Sequence, residues 1–140
     1  MQGGHQTSVA NEWFVRNKIV LFSFDLEHGG PAAGILQLSC IAFTPDGKEL
    51  GQFDQYIFPV KNTTISKETS QIHKLTLQSL CIQAAKPLQV VWQDFVEFIE
   101  NLLDGGEKHG IFIAWNGKSC DLDWVFKITK DGNTNNLSLP

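Results

Sequence analysis

Ile19-Val20-Leu21-Phe22-Ser23-Phe24-Asp25-Leu26-Glu27 is the stretch that decides how this chain is read. Its first six residues, Ile19 to Phe24, are apolar, β-branched or aromatic but for Ser23. The run is too short for a helix, so it predicts a strand buried on both faces. At its end the chemistry changes. Residues two apart on a strand point the same way, so Asp25 and Glu27 share one face while Phe24 and Leu26 share the other. Two neighbouring carboxylates repel each other, and a divalent cation removes that repulsion. Their hard oxygen donors suit Mg2+ or Mn2+. A solvated pair of acids leaving a strand would have the same spelling, so the reading needs support from the rest of the chain.

Working outward, Gly29-Gly30-Pro31 is a turn, and Ile35 to Phe43 is a second strand closed by the turn Pro45-Asp46-Gly47. A third strand is expected over Phe53 to Pro59, with Phe53, Gln55 and Ile57 alternating against Asp54, Tyr56 and Phe58. Three strands joined this closely form an antiparallel meander. Asn62 to Gln89 is polar and mixed, and offers one short helical turn near Ser66–His73. Val91, Phe95, Phe98 and Leu102 recur at helical spacing, widened by Trp92, Ile99 and Leu103. They predict an amphipathic helix that ends at Gly105-Gly106. Ile111 to Trp115 reads as a fourth strand, Asn116-Gly117 as a turn, and Ser119 as the cap of a helix reaching about Thr129. Residues 1–17 read as a flexible leader, 18–130 as one domain and 131–140 as a polar tail. The order of strands, helix, strand and helix predicts an α/β fold built on a mixed sheet.

The 140 residues suffice for one domain with a core. The formal net charge of −4 argues against a protein that grips nucleic acid by bulk electrostatics. It leaves room for an enzyme that meets phosphates through metal ions. Cys40, Cys81 and Cys120 form no C-x-x-C pair, so neither a zinc knuckle nor a disulfide framework is expected. With no signal-peptide pattern, an intracellular location, nuclear or cytoplasmic, is the simplest reading. The longest strongly apolar run, Ile19 to Phe22, is far too short to span a bilayer, so no membrane partner is expected.

A second acidic segment strengthens the first. Trp115-Asn116-Gly117-Lys118-Ser119-Cys120-Asp121 also follows an apolar strand. It places Asp121 in the first turn of the expected helix, where the dipole favours a carboxylate. Helix capping by Asp121 or Asp123 would account for the same residues. Taken together, the two segments bring three acids to the ends of two strands.

Phe24-Asp25-Leu26-Glu27-His28-Gly29-Gly30 resembles the first exonuclease motif of the DEDD (DnaQ-like) family, in its DEDDh branch. Asn116-Gly117-Lys118-Ser119-Cys120-Asp121-Leu122 resembles the second motif, with a spacing similar to that of the three-prime repair exonucleases. Between them, Ile72-His73-Lys74-Leu75-Thr76 resembles the Ile-x-Gly-Leu/Ile-Thr/Ser loop of these enzymes. The resemblance spans roughly Lys18 to Lys130. It implies a ribonuclease H-like fold and hydrolysis of terminal phosphodiesters of DNA or RNA, 3' to 5', with two divalent cations, Mg2+ or Mn2+. The implied partner is the 3' end of a single strand. Asp25, Glu27 and Asp121 would hold the metals, which sit about 4 Å apart in such mechanisms. Leu26 would wall the last base, Gly29 would let the backbone approach the terminal nucleotide, His73 would contact substrate and Asn116 would orient the turn that carries Asp121.

The chain departs from the family after Asp121. A third motif, His-x-x-x-x-Asp, should supply a fourth acid and a general base, and no histidine occurs after His109. His28, His5 and His109 read as loop or solvated residues rather than replacements. Trp115 replaces the histidine that many relatives carry before Asn-Gly, and Cys120 replaces an aromatic residue. The expectation is therefore a C-terminally incomplete exonuclease domain, weakly active or inactive, whose fold a homodimer or a partner segment would complete. The alternative is a non-catalytic module for binding nucleic acid or protein.

Overall fold

The computed structural model describes residues 19–114. The leader, the polar tail and the whole second acidic segment, Asn116 and Asp121 included, lie outside them. The described residues form four strands: β1 (Ile19–His28), β2 (Ile35–Phe43), β3 (Glu49–Tyr56) and β4 (His109–Ala114). Between β3 and β4 come α1 (Lys67–His73), α2 (Leu77–Ile82) and α3 (Leu88–Leu102), then a short 3-10 turn over Asp104–Gly106. The sheet order is β3-β2-β1-β4. β1 pairs antiparallel with β2, β2 antiparallel with β3, and β1 parallel with β4. This is the mixed α/β sheet with an antiparallel half that the sequence predicts.

One side of the sheet makes the core. Val20, Phe22, Phe24 and Leu26 of β1 point into it, with Leu38, Cys40 and Ala42 of β2 and Phe53 of β3. The amphipathic α3 lays Val91, Trp92, Phe95 and Ile99 over this face. Phe22 sits at the centre, stacked on Phe112 of β4 at 5.2 Å and edge-on to Phe98 of α3 at 6.4 Å. Burying one such phenyl ring stabilises by about 1.5–3 kcal/mol. Gly105 and Gly106, both at positive φ, close the helical segment as expected.

Three expectations change. Beyond Ile19, β1 is buried on one face only: Leu21 is half-buried and Ser23 and Asp25 are exposed, because α3 covers the side occupied by Val20, Phe22, Phe24 and Leu26. β3 runs from Glu49 to Tyr56 rather than from Phe53 to Pro59. Gly51 and Gln52 already pair with Ala42 and Ile41, while Ile57 moves on to a bridge with Lys86. α2 is an additional helix in the polar connector. A capping box fixes its start: the Thr76 hydroxyl accepts from the Ser79 N–H, and the Ser79 hydroxyl accepts from the Thr76 N–H. With Leu36, Leu75 and Ala85, Leu80 of α2 forms a second, smaller core. No helix among the described residues is long and apolar enough to cross a membrane.

Candidate functional site

Asp25 and Glu27 sit in the last turn of the pleat of β1, on the face opposite the core. Asp25 is exposed and Glu27 half-buried. The antiparallel register aligns Asp25 with Ser39 of β2, and Ser39 with Asp54 of β3. The next row is Glu27, Gln37 and Tyr56. Gln37 Nε2 donates to Asp54 Oδ1 at 2.8 Å, which occupies Asp54. The carboxylates of Asp25 and Glu27 have no hydrogen-bond or ion-pair partner among the described residues. Asp25 also lines a shallow groove of about 280 Å3 with Ser23, Ser39, Gln52 and Asp54.

The strand breaks immediately after the acids. A β-bulge lies between Glu27 and His28, and bulges re-aim side chains at strand ends. His28 Nδ1 accepts from the Gly30 N–H at 3.2 Å. The parallel pairing matters as much: Phe24 stands opposite Ala114, the last described residue of β4. Ala114 therefore stands at the register position next to that of Asp25.

The other residues expected to touch substrate are engaged by the protein itself. Leu26 is 5% exposed and packs in the main core, so it offers no wall to a base on the acidic face. Gly29 is buried, and a Cβ there would come within 2.8 Å of the Ala33 Cβ and 3.1 Å of Leu36 Cδ1. Its N–H donates to the Gly34 carbonyl and its own carbonyl accepts from the Ser66 N–H, both at 2.8 Å. The close approach that demands glycine is thus made by the turn itself. His73 Nδ1 accepts from the Leu75 N–H at 2.9 Å. That leaves Nε2 to carry the proton and donate to the His28 carbonyl at 3.0 Å. Both ring nitrogens are used, and His73 acts as a strut between the end of α1 and the residue following Glu27.

Lys74 stands where the resembled loop has glycine. It caps the C-terminus of α1 at φ 61° and ψ 13°, the left-handed conformation that glycine adopts without strain, and its N–H donates to the Ser70 carbonyl. A lysine here bears a backbone strain that glycine would not. Neither α2 nor the strut belongs to the elements that the sequence predicts. The Thr76-x-x-Ser79 capping pattern could have revealed the first; nothing local signals the second, since its partner is forty-five residues away.

No protein-family model matches the sequence, and no curated protein matches it significantly. Solved structures do resemble it. The nuclease domain of 3'hExo, a DEDDh family member bound to rAMP, superposes with a TM-score of 0.58 at 15% identity, covering 81% of this chain and 60% of that one. A full-length 3'-exonuclease gives 0.54 at 17% identity, over 76% of this chain and 39% of that one. A 3'-exonuclease described in 3'-end recognition of a histone mRNA stem-loop gives 0.53 at 17% identity, over 76% and 53%. The fold is ribonuclease H-like. The chain spans between 39% and 60% of the lengths of these structures.

As a metal site the described residues contribute two carboxylates and no group of three potential ligands. Their chemistry fits a hard divalent cation: both donors are oxygens, both face the open side, and no lysine or arginine among the described residues neutralises either.

Proposed function

We propose that this chain is a nuclease domain that takes the 3' end of a single strand of DNA or RNA and hydrolyses its terminal phosphodiester with Mg2+ or Mn2+. The observation that carries the reading is the unpartnered pair Asp25 and Glu27 at the end of the central strand of a ribonuclease H-like sheet. Asp25, Glu27 and, from the segment that follows β4, Asp121 would hold the cations, and Asn116 would orient the turn before Asp121. When bound, such cations polarise the phosphodiester and lower the pKa of water. The chain's own contribution is placement. β1 holds both acids on one face, in successive rows paired to β2, and the His73 strut fixes the backbone just beyond Glu27.

The test is strand shortening by the protein with its 5'-labelled single-stranded substrate, with Mn2+ or with chelator, alongside Asp25→Asn and Glu27→Gln. Shortening from the 3' end should require the cation and vanish in both variants, while their melting temperatures stay at or above that of the unsubstituted protein. Cleavage that survives Asp25→Asn, or an unsubstituted protein that binds no Mn2+ by calorimetry, would sink the proposal. A module that binds the strand without cutting it would show binding and no shortening in the same assay.

A further inference from the structure

The connector between β3 and α3 is basic in an otherwise acidic chain. Over residues 57–87 it holds Lys61, Lys67, Lys74 and Lys86 against a single acid, Glu68. Two of these charges are already committed: Lys86 Nζ pairs with Asp94 at 3.1 Å, and the Glu68 carboxylate accepts from the Ser66 hydroxyl at 2.9 Å. Lys67 and Lys74 form no ion pair among the described residues. Lys67 and Gln71, four residues apart, share one side of α1, and Lys74 follows as its left-handed C-terminal cap; all three are exposed. The inward side of the helix is different: Ser70 binds the Leu75 carbonyl and His73 binds the His28 carbonyl.

This stripe is tied to the acids by a short path. Lys74 is bonded to His73, His73 is hydrogen-bonded to His28, and His28 is bonded to Glu27. The start of α1 is tied to the same place, through the Ser66 N–H and the Gly29 carbonyl at 2.8 Å. Lys74 also keeps a lysine in a left-handed position where glycine would sit relaxed, a strain of the kind retained where a side chain has a use.

We infer that Lys67 and Gln71 on α1, with Lys74 at its C-terminal cap, form a track for the phosphodiester backbone of a single strand whose 3' end lies at Asp25 and Glu27. The inference rests on the nuclease reading for the placement of the 3' end. Lysines of this kind hold phosphates by charge and release counterions, so the affinity they give falls with salt and carries no base preference.

The experiment uses the full chain with Asp25→Asn and Glu27→Gln, so that the strand survives, and measures binding of fluorescein-labelled oligothymidylate by anisotropy across a salt series. Each phosphate contact contributes about 0.7 to the slope of log affinity against log salt for a single strand. Adding Lys67→Gln and Lys74→Gly should therefore lower that slope by about 1.4. Lys74→Gly removes the charge while relaxing the backbone, so misfolding does not imitate the result. Lys48→Gln, an exposed lysine in the β2–β3 turn, should leave the slope unchanged. An unaltered slope in the double lysine variant overturns the track, as does an equal fall with Lys48→Gln or a protein that binds no strand. If the slope is unaltered while the unsubstituted protein still trims 3' ends, the track fails and the nuclease reading stands. A fall of the expected size without any trimming leaves the track standing and removes the nuclease.

Discussion

Replacing Lys74 by glycine should make the protein more stable, although it removes a side chain from a helix end. The residue sits at φ 61°, where the Cβ of an L-residue crowds the following carbonyl. That conformation costs roughly 1–2 kcal/mol for an ordinary residue and little for glycine. Glycine gives back about 0.4–1 kcal/mol, because the unfolded chain becomes more flexible. The hydrogen bond from residue 74 N–H to the Ser70 carbonyl is backbone only and survives. The net gain is about 0.5–1 kcal/mol, which for a domain of this size raises the melting temperature by roughly 2–8 °C. Circular dichroism at 222 nm gives the measurement, and Lys74→Ala is the control. Alanine keeps the strain and loses the charge, so it should melt no higher than the unsubstituted protein. If glycine fails to raise the melting point, or alanine raises it as much, left-handed strain is not what distinguishes this position.

Three further outcomes follow from the packing. Gly29→Ala should destabilise by about 1–3 kcal/mol in denaturant melts, since the new methyl meets the Ala33 Cβ at 2.8 Å in a closed turn. His73→Phe removes the hydrogen bonds that its ring makes to the Leu75 N–H and the His28 carbonyl, at a cost of about 1–3 kcal/mol, and hydrogen exchange should show the Leu75 amide opening first. Burial pushes the Cys40 thiol up to about 12, so iodoacetamide followed by peptide mass mapping should label the exposed Cys81 at neutral pH and spare Cys40. Because the Cys40 pKa is raised above its ordinary value of 9.0, the stability it confers is complete below pH 9 and declines as the pH climbs toward 12.

Where sequence alone succeeded, one local rule governed the outcome. Ile35–Phe43 was legible to the residue because its alternation and the turn after it agree. The stripe from Val91 to Leu102 was legible because helical spacing and burial coincide. β3 was misplaced by four residues at its start because it is an edge strand, and Glu49, Gln52 and Asp54 face solvent with no apolar signature. α2 has six residues, too few for a periodic stripe to stand out. In the site, strand geometry was enough to put Asp25 and Glu27 on one face. The duties of Leu26, Gly29 and His73 depend instead on residues distant along the chain, which no spacing in the neighbourhood records.

The two flanks of β1 differ in the time they take to acquire. β2 reaches it through a turn of six residues, whereas Phe24 meets Ala114 only across eighty-nine intervening residues. Closing the longer loop costs more chain entropy, and contacts between distant residues form late. The meander therefore presents the two acids early, on a strand whose other edge is still open. The parallel partner of β1 arrives only when β4 docks. A chain arrested before that step would carry the acid-bearing row of β1 with one of its edges unpaired.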